Sequence, residues 1–270
     1  MELFAGEGQL TNAVKNLGLE ADANDVANGG VDFTDDAQVA ELKEKLRSLS
    51  KDKDTLAIHL APPCASFSRA RDRAPRTKLR SNQFPEGLVR ARDQCRTPNR
   101  IAEAAYDLAV WAADELGAVV SLENPTSSYL WQYVGTLKQS DISYVNVNLS
   151  ACMFEAEYQK HTTLRCWNWY PTKLERTCSL QGDRFSCGRF RADGHAVLEF
   201  GGKSTKDAAA YVPDLCKRWA IALSEAAVAD TTTGDVLADA SLHARGRVRR
   251  HELRGKDEDT AREVREQEDR

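Results

Sequence analysis

Short apolar runs that alternate with amphipathic helices are the feature of this sequence that most constrains its fold. Residues 56–60 and 118–122 are apolar runs of strand length, and apolar side chains recur at helical spacing over 99–116 between them. A similar helical pattern over 36–49 precedes the first of these strands. Strands that alternate with helices pair in parallel through crossover connections, so this order predicts an α/β fold with a doubly wound, mostly parallel sheet.

The remaining patterns extend this alternation along the chain. Strands are predicted over 19–25 and 144–149, and helices over 12–17, 127–137 and 206–229. The chain then divides into a core over 1–170, a small irregular insertion over 171–204, a helix returning to the core over 205–229, and a charged tail over 230–270. The tail has few large apolar side chains, so we expect it to be disordered or a solvated helix.

A glycine-containing turn precedes the first predicted helix. Gly6 and Gly8 permit a tight turn and the close approach of a ligand next to Phe4. A turn that leads into a helix is typical of nucleotide and nucleoside sites. Only three residues precede Phe4, too few for a full strand. We therefore expect either a very short first strand or, preferably, a chain that is a fragment.

Acidic residues beyond this turn offer contacts for a nucleoside. Asp25, or alternatively Asp22, ends the second predicted strand, where a carboxylate can accept hydrogen bonds from both hydroxyls of a ribose. Asp32 and Phe33 follow and are placed to flank an adenine ring. The alternative for each acid is a turn residue at the end of a strand.

A cysteine lies directly beyond the strand over 56–60. Pro62 and Pro63 end that strand because proline cannot donate to a sheet ladder. Cys64 then stands past the carboxyl end, where open α/β sheets bind their ligands. Nearby cations favour a thiolate, so the position suits a nucleophile. The alternative is a buried structural cysteine after a proline turn.

Basic residues are concentrated directly after this cysteine. Residues 69–100 contain ten basic side chains against three acidic ones, although the whole chain has a net charge of −4. This local charge predicts contact with a polyanion near the thiol. The candidate nucleic-acid-binding residues are Ser66, Ser68, Arg69, Arg71 and Arg73. The stretch has no regular periodicity, so it is predicted to be a functional lid or, alternatively, a flexible, solvated loop.

Glu123 follows the apolar strand over 118–122 and precedes Asn124 and Pro125. A carboxylate at the end of a buried strand either caps a helix or takes part in acid–base chemistry. Beyond the predicted strand over 144–149, a basic run over 159–167 that contains Lys160 leads into a further strand.

The cysteines argue against both a disulfide framework and a metal site. Seven cysteines, an odd number without regular spacing, favour a reducing intracellular compartment, the nucleus in a eukaryote and otherwise the cytoplasm. Cys178, Cys187 and His195 are zinc-ligand types, but no C-x-x-C pair accompanies them, so no metal is predicted. No apolar run approaches the roughly 20 residues of a membrane span, so no membrane association is expected.

In their order along the chain, these motifs resemble those of the S-adenosylmethionine-dependent DNA methyltransferases that act on carbon 5 of cytosine. The matching segments are residues 3–8, the Asn24-Asp25 pair, Asp32, residues 63–68 around a Pro-Cys pair, and Glu123-Asn124-Pro125. The resemblance covers about residues 1–170. It implies a Rossmann-like methyltransferase core.

The resemblance also implies roles for individual residues. Cys64 would be the nucleophile and Glu123 would bind the cytosine ring. The family's Gln-x-Arg-x-Arg motif is not present in that spacing. Gln159, Lys160 and Arg165 are the nearest candidates, and Arg165 is predicted to be the third catalytic residue. S-adenosylmethionine would be held by Phe4, Gly6, Gly8, Asp25, Asp32, Phe33 and Pro63.

DNA is the partner that the resemblance implies, and we expect a monomer. Two alternatives remain open. The substrate could be structured RNA, with the same chemistry. The chain could also be a non-catalytic methyltransferase-like module that binds nucleic acid or a protein, which the short first strand favours and the presence of Cys64 and Glu123 opposes.

Overall fold

The computed structural model describes residues 1–53, 55–137, 141–198 and 208–230. The predicted tail over 230–270 and the end of the predicted insertion, 199–204, therefore lie outside the described residues, apart from Asp230. Among the helices of the described residues, none is long and apolar enough to cross a membrane.

A mostly parallel six-stranded sheet forms the centre of the fold, in the order β2-β1-β3-β4-β6-β5. The strands are β1 (Glu2–Leu3), β2 (Ala23–Asn24), β3 (Ala57–Leu60), β4 (Val119–Pro125), β5 (Val145–Ser150) and β6 (His161–Trp167). Strands β2, β1, β3 and β4 are mutually parallel, whereas β6 runs antiparallel to both of its neighbours. The α/β class and the mostly parallel sheet predicted from the sequence are confirmed.

Helices cover both faces of this sheet. They are α1 (Gln9–Lys15), α2 (Asp36–Asp52), α3 (Arg92–Glu115), α4 (Leu130–Thr136) and α5 (Pro213–Asp230). Apolar side chains of α2, α3 and α4 form the larger core on one face, and those of α1 and α5 form a second core against β5 and β6 on the other. Strands buried on both faces are the reason that β3 and β4 are apolar runs rather than alternating ones.

The first strand of the sheet is very short but central. Glu2 and Leu3 pair with β2 on one side and with β3 on the other. Leu3 is fully buried in the larger core. The strand therefore places the turn that follows it at the carboxyl edge of the sheet, beside the end of β3.

Helix α3 begins seven residues earlier than the sequence predicts. The prediction began at Asn99 because the apolar periodicity begins there. A proline inside a helix removes a hydrogen bond and crowds the carbonyl four residues back. Pro98 nevertheless lies inside α3. Gln94, which carries that carbonyl, is exposed to water, and Cys95 is fully buried against Leu79 and Ala91. Packing of this extra turn outweighs the local cost of the proline.

The last helix begins later than predicted. Pro213 is its first residue, a position that suits proline because its missing N–H would have no partner there. Residues 208–212 are not helical, so the helix prediction over 206–229 is wrong for those residues, whereas 206–207 lie outside the described residues. Helix α4 likewise begins at Leu130 rather than at residue 127, because the Ser128 hydroxyl accepts the Leu130 N–H within a turn.

The arginine-rich stretch is folded rather than irregular. It contains the short 3-10 helices Ala65–Phe67, Arg69–Arg73 and Val89–Ala91. The small hairpin of β7 (Leu180–Gln181) and β8 (Arg184–Phe185) occupies the predicted irregular insertion.

Candidate functional site

The predicted cofactor turn leaves β1 in a left-handed backbone conformation. Phe4, Gly6 and Gly8 have φ angles of 59°, 52° and 62°. Glycine adopts this region readily, but a phenylalanine there is strained, and such strain is concentrated at functional sites. The Gly6 N–H donates to Asp25 Oδ2 at 3.0 Å. The structure thus brings the predicted turn and the predicted ribose acid together.

The buried carboxylate of Glu2 binds the helix that follows this turn. Glu2 Oε2 accepts the Thr11 N–H at 2.8 Å and the Thr11 hydroxyl at 2.6 Å. Glu2 is 4% exposed, and desolvation raises its pKa. Because Thr11 lies in α1, these bonds fix the helix relative to β1. Glu2 was not predicted from the sequence, since nothing local marks its side chain as buried.

The predicted adenine-flanking pair lies beside the turn but is partly engaged within the protein. Phe33 is 3% exposed, and its ring centroid lies 4.4 Å from that of Phe4. The Asp32 carboxylate accepts the Thr34 N–H and hydroxyl, which lowers the pKa of Asp32. Phe33 therefore supports Phe4 from the core, and Phe4 is the more accessible of the two rings.

The cysteine loop is fastened to the end of β4. Asn124 Nδ2 donates to the Pro62 carbonyl at 3.0 Å, and the Tyr129 N–H donates to the Phe67 carbonyl at 2.9 Å. These bonds hold both ends of the loop that carries Cys64. Pro63, predicted to contact the cofactor, is exposed at the start of this loop.

A fully buried arginine supports the same loop. Arg80 is 1% exposed, and its guanidinium donates to the Ser66 carbonyl, the Ser66 hydroxyl, the Pro85 carbonyl and Asn99 Oδ1. It also stacks on the Phe67 ring at 3.7 Å. The role of Arg80 was not predicted, because its position in the sequence does not distinguish it from the neighbouring arginines.

The environment of Cys64 contains opposing influences on its thiol. The residue is partly exposed. Burial raises the pKa of the Cys64 thiol, the Lys160 ammonium lowers it, and the Glu123 carboxylate raises it, in that order of size. These charges reach Cys64 from β4 and from the residue just before β6, so the structure brings the predicted nucleophile and Glu123 to one edge of the sheet.

Glu123 lies inside β4 rather than beyond its end, because β4 continues to Pro125 in register with β6. The side chain is 6% exposed, and Oε1 is buried without a hydrogen-bond partner among the described residues. The Lys160 ammonium lies 3.8 Å from that oxygen and also donates to the Ala208 carbonyl at 3.3 Å. A buried carboxylate oxygen that lacks a donor is costly unless a ligand supplies one.

Two further residues at this edge, His59 and Tyr211, were not predicted from the sequence as site residues. His59 on β3 contacts the Ser121 hydroxyl through Nδ1 and the Tyr211 hydroxyl through Nε2, each at 2.9 Å. Burial lowers the pKa of His59 to about 3 and raises that of Tyr211 well above its usual value. Both are therefore neutral at physiological pH. They anchor the segment before α5 to the sheet near Glu123 and Cys64, whose charges also act on Tyr211.

Arg165 is not brought to Cys64 and Glu123. In the antiparallel pair of β4 and β6, Arg165 is opposite Leu122, whereas Glu123 is opposite Leu164. Residues directly opposite share a face and successive residues alternate, so Arg165 faces the other side of the sheet from Glu123. Its guanidinium lies 4.0 Å from the centroid of the Tyr144 ring.

The predicted nucleic-acid-binding residues divide into structural and exposed groups. Arg69 donates to the Ser127 carbonyl at 2.8 Å and to Asn82 Oδ1 at 2.6 Å, and Arg71 donates to the Thr77 carbonyl at 3.0 Å. Their guanidinium groups thus brace the stretch after Cys64.

By contrast, Arg73 is exposed, as is Arg76. The two predicted serines also have partners inside the loop, since Ser66 accepts from Arg80 and Ser68 accepts from the Ala70 N–H.

No family model, no curated protein and no solved structure matches this chain. What the site can do follows from its own geometry. A partly exposed thiol, a buried carboxylate with an unsatisfied oxygen and an ammonium group surround one point at the carboxyl edge of a sheet. A thiol beside charged groups suits nucleophilic or acid–base chemistry.

Proposed function

We propose that this chain transfers a methyl group from S-adenosylmethionine to carbon 5 of cytosine in DNA, through a covalent adduct with Cys64. The observation that carries the proposal is the buried Oε1 of Glu123, which lacks a hydrogen-bond donor among the described residues and lies near Cys64 and Lys160. A cytosine provides the missing donor through its exocyclic amine. The resemblance of the motifs around residues 3–8, 24–33, 63–68 and 123–125 supports the same conclusion.

Carbon 5 of cytosine is a weak nucleophile, and the proposed role of Cys64 is to activate it. The thiolate Sγ forms a bond to carbon 6, and the electron pair of the 5,6 double bond moves toward carbon 5. After carbon 5 has accepted the methyl group, it loses its proton to a base, the double bond re-forms and the bond between Sγ and carbon 6 breaks. The thiolate is regenerated, so the protein acts catalytically.

Glu123 would bind the ring nitrogen and the exocyclic amine, which offsets the charge that develops in the ring as Cys64 adds to it. Its rigid position inside β4 preorganises this contact. The cation of the proposed site is Lys160 rather than the predicted Arg165. Its ammonium lies near both acidic groups and favours the thiolate form of Cys64.

The residues around the first turn fit the cofactor. The left-handed Gly6 has open space where a side chain would stand, Phe4 offers an aromatic face beside it, and Asp25 is held against the turn. Asp25 and Phe4 would bind the ribose and the adenine. S-adenosylmethionine supplies a methyl group activated by a positive sulfur.

A nucleic-acid substrate is supported by the exposed cations near the cysteine loop. Arg73 and Arg76 are exposed on the same stretch whose other arginines brace the loop. A cytosine in a duplex would have to leave the base stack to reach Cys64, at a cost of a few kcal/mol.

Covalent capture tests the proposal. The full chain would be incubated with duplex DNA, single-stranded DNA or structured RNA that carries 5-fluorocytosine, with and without S-adenosylmethionine. Fluorine at carbon 5 cannot leave as a proton does, so the adduct should persist on a denaturing gel. We expect an adduct with duplex DNA that requires the cofactor. Capture only by RNA would move the substrate to RNA, and no capture by any oligonucleotide would refute the proposal.

Replacing Lys160 should shift the pH dependence of kcat/KM to higher pH. The ammonium lowers the pKa of Cys64, so Lys160→Met raises that pKa and reduces the thiolate fraction below it. We expect kcat/KM at pH 7 to fall by roughly tenfold and the acid limb of the pH–rate profile to move to higher pH. Lys160→Arg keeps the charge and serves as the control. Equal profiles for wild type and Lys160→Met would show that Lys160 does not act on the thiol.

A further inference from the structure

Four side chains with ligand atoms for a soft metal meet beside the end of β5. They are Cys152, Cys178, Cys187 and His195, and their ligand atoms all lie within 4.8 Å of one another. His195 Nε2 is 3.8 Å from Cys178 Sγ and 3.3 Å from Cys187 Sγ. The sequence pointed to three of these residues, but the fourth, Cys152, comes from a different part of the fold.

The two distances from His195 to sulfur fit the edges of a tetrahedron around one ion. With Zn–S bonds of about 2.3 Å and Zn–N bonds of about 2.05 Å, tetrahedral angles place two sulfurs about 3.8 Å apart and a sulfur and a nitrogen about 3.6 Å apart. The two distances to His195 lie on either side of the second value. All the cysteines of this cluster are free thiols, so none is used in a disulfide.

The segment that supplies three of the four residues has little apolar core of its own. Leu180, Phe190 and Val197 are 42%, 46% and 74% exposed, and over the described residues 178–198 only Cys178 is buried. A short segment that cannot bury an apolar cluster is commonly held by a metal or by disulfides. Hydrogen bonds join its backbone to the rest of the fold, among them those from the Cys178 N–H to the Ser150 hydroxyl, from Gln159 Nε2 to the Cys178 carbonyl and from the Ala196 N–H to the Glu157 carbonyl.

We propose that Cys152, Cys178, Cys187 and His195 bind a structural Zn²⁺ ion. Three thiolates and one imidazole form a donor set that suits zinc, and four protein ligands leave no open position for substrate or water. Binding releases the protons of the three thiols to solvent and leaves His195 neutral, with Nε2 on the metal.

The position of the ion gives it a defined role in the fold. Cys152 follows β5 directly, and the neighbouring Ala151 N–H donates to the Lys160 carbonyl at 2.9 Å. The ion would therefore hold the hairpin of β7 and β8 against the chain segment that carries Lys160. The proposal stands independently of the proposed catalytic function, because it rests on this cluster alone.

Metal analysis of the full chain tests the site. Protein made in zinc-supplemented medium and purified under reducing conditions without chelator should contain one equivalent of zinc. Cys187→Ser should reduce the zinc content to background, whereas Cys95→Ser, which changes a buried cysteine outside the cluster, should retain it. Wild-type protein without zinc, or Cys187→Ser with the full equivalent, would overturn the proposal.

Cobalt provides a readout that does not depend on a disrupted variant. Wild-type protein loaded with Co²⁺ should show the strong visible bands of tetrahedral cobalt and near-ultraviolet absorption from thiolate bonds. His195→Cys keeps four ligands, so it should retain the metal with increased thiolate absorption. A cobalt spectrum typical of octahedral coordination, or one that His195→Cys leaves unchanged, would contradict the proposed ligand set.

Discussion

Cys64→Ser is expected to abolish covalent capture of 5-fluorocytosine and to lower methyl transfer by about 10³-fold or more. A serine hydroxyl remains protonated at neutral pH and cannot replace a thiolate as nucleophile, and loss of a nucleophile typically has effects of this size or larger. Binding of S-adenosylmethionine, measured by calorimetry, should change little because the turn at Phe4 and Gly6 stands on β1 and not on the cysteine loop.

The matched control is Cys95→Ser. Cys95 is fully buried in the small cluster beside α3, and its sulfur faces the Leu79 carbonyl at 3.9 Å, which a serine hydroxyl can also approach. This variant should retain capture and cofactor binding. If Cys64→Ser lost cofactor binding together with capture, Cys64 would be a structural residue, and the catalytic proposal would fail.

Arg80→Met is expected to lower the free energy of unfolding by about 3 kcal/mol. The substitution keeps an unbranched side chain but removes the guanidinium that donates to Ser66, Pro85 and Asn99. Acceptors left without donors in the interior cost about 1–3 kcal/mol each, and repacking of the methionine on Phe67 offsets part of this. For a protein of this size, thermal unfolding should move down by roughly 6–12 °C.

Arg76→Met is the control, because Arg76 is an exposed arginine of the same stretch. Its effect on unfolding should be below about 0.5 kcal/mol. Arg80→Met should also weaken covalent capture, since Ser66 lies two residues from Cys64. Equal melting temperatures for the two variants would show that the buried guanidinium does not hold the cysteine loop.

Much of the architecture was predictable because its signals are local. The strand over 56–60 and the helix beginning at residue 36 appear in the structure almost as predicted. Apolar spacing alone indicates both, since each buries a continuous face. The positions of Cys64 and Glu123 were also predictable. Cys64 follows one buried strand and Glu123 lies near the end of the next, and the carboxyl ends of neighbouring parallel strands share one edge of the sheet.

Other features depended on contacts between distant parts of the chain. Apolar spacing predicted a helix from residue 99, but burial of Cys95 against Leu79 accompanies the extension of α3 back to Arg92, past Pro98. Lys160 rather than Arg165 lies beside Glu123, because the register of β6 on β4 places Arg165 on the opposite face of the sheet. A shift of one residue in that register would reverse the assignment.

The sequence by itself determined the alternation of elements, the α/β class and the two residues that the proposed chemistry needs most. Only the tertiary structure decided which arginine is buried, which cation faces the carboxylate and which cysteine completes the proposed zinc site. The physical reason is that periodicity and turn chemistry act between neighbours along the chain, whereas burial, hydrogen-bond partners and strand register arise from segments that meet only after folding.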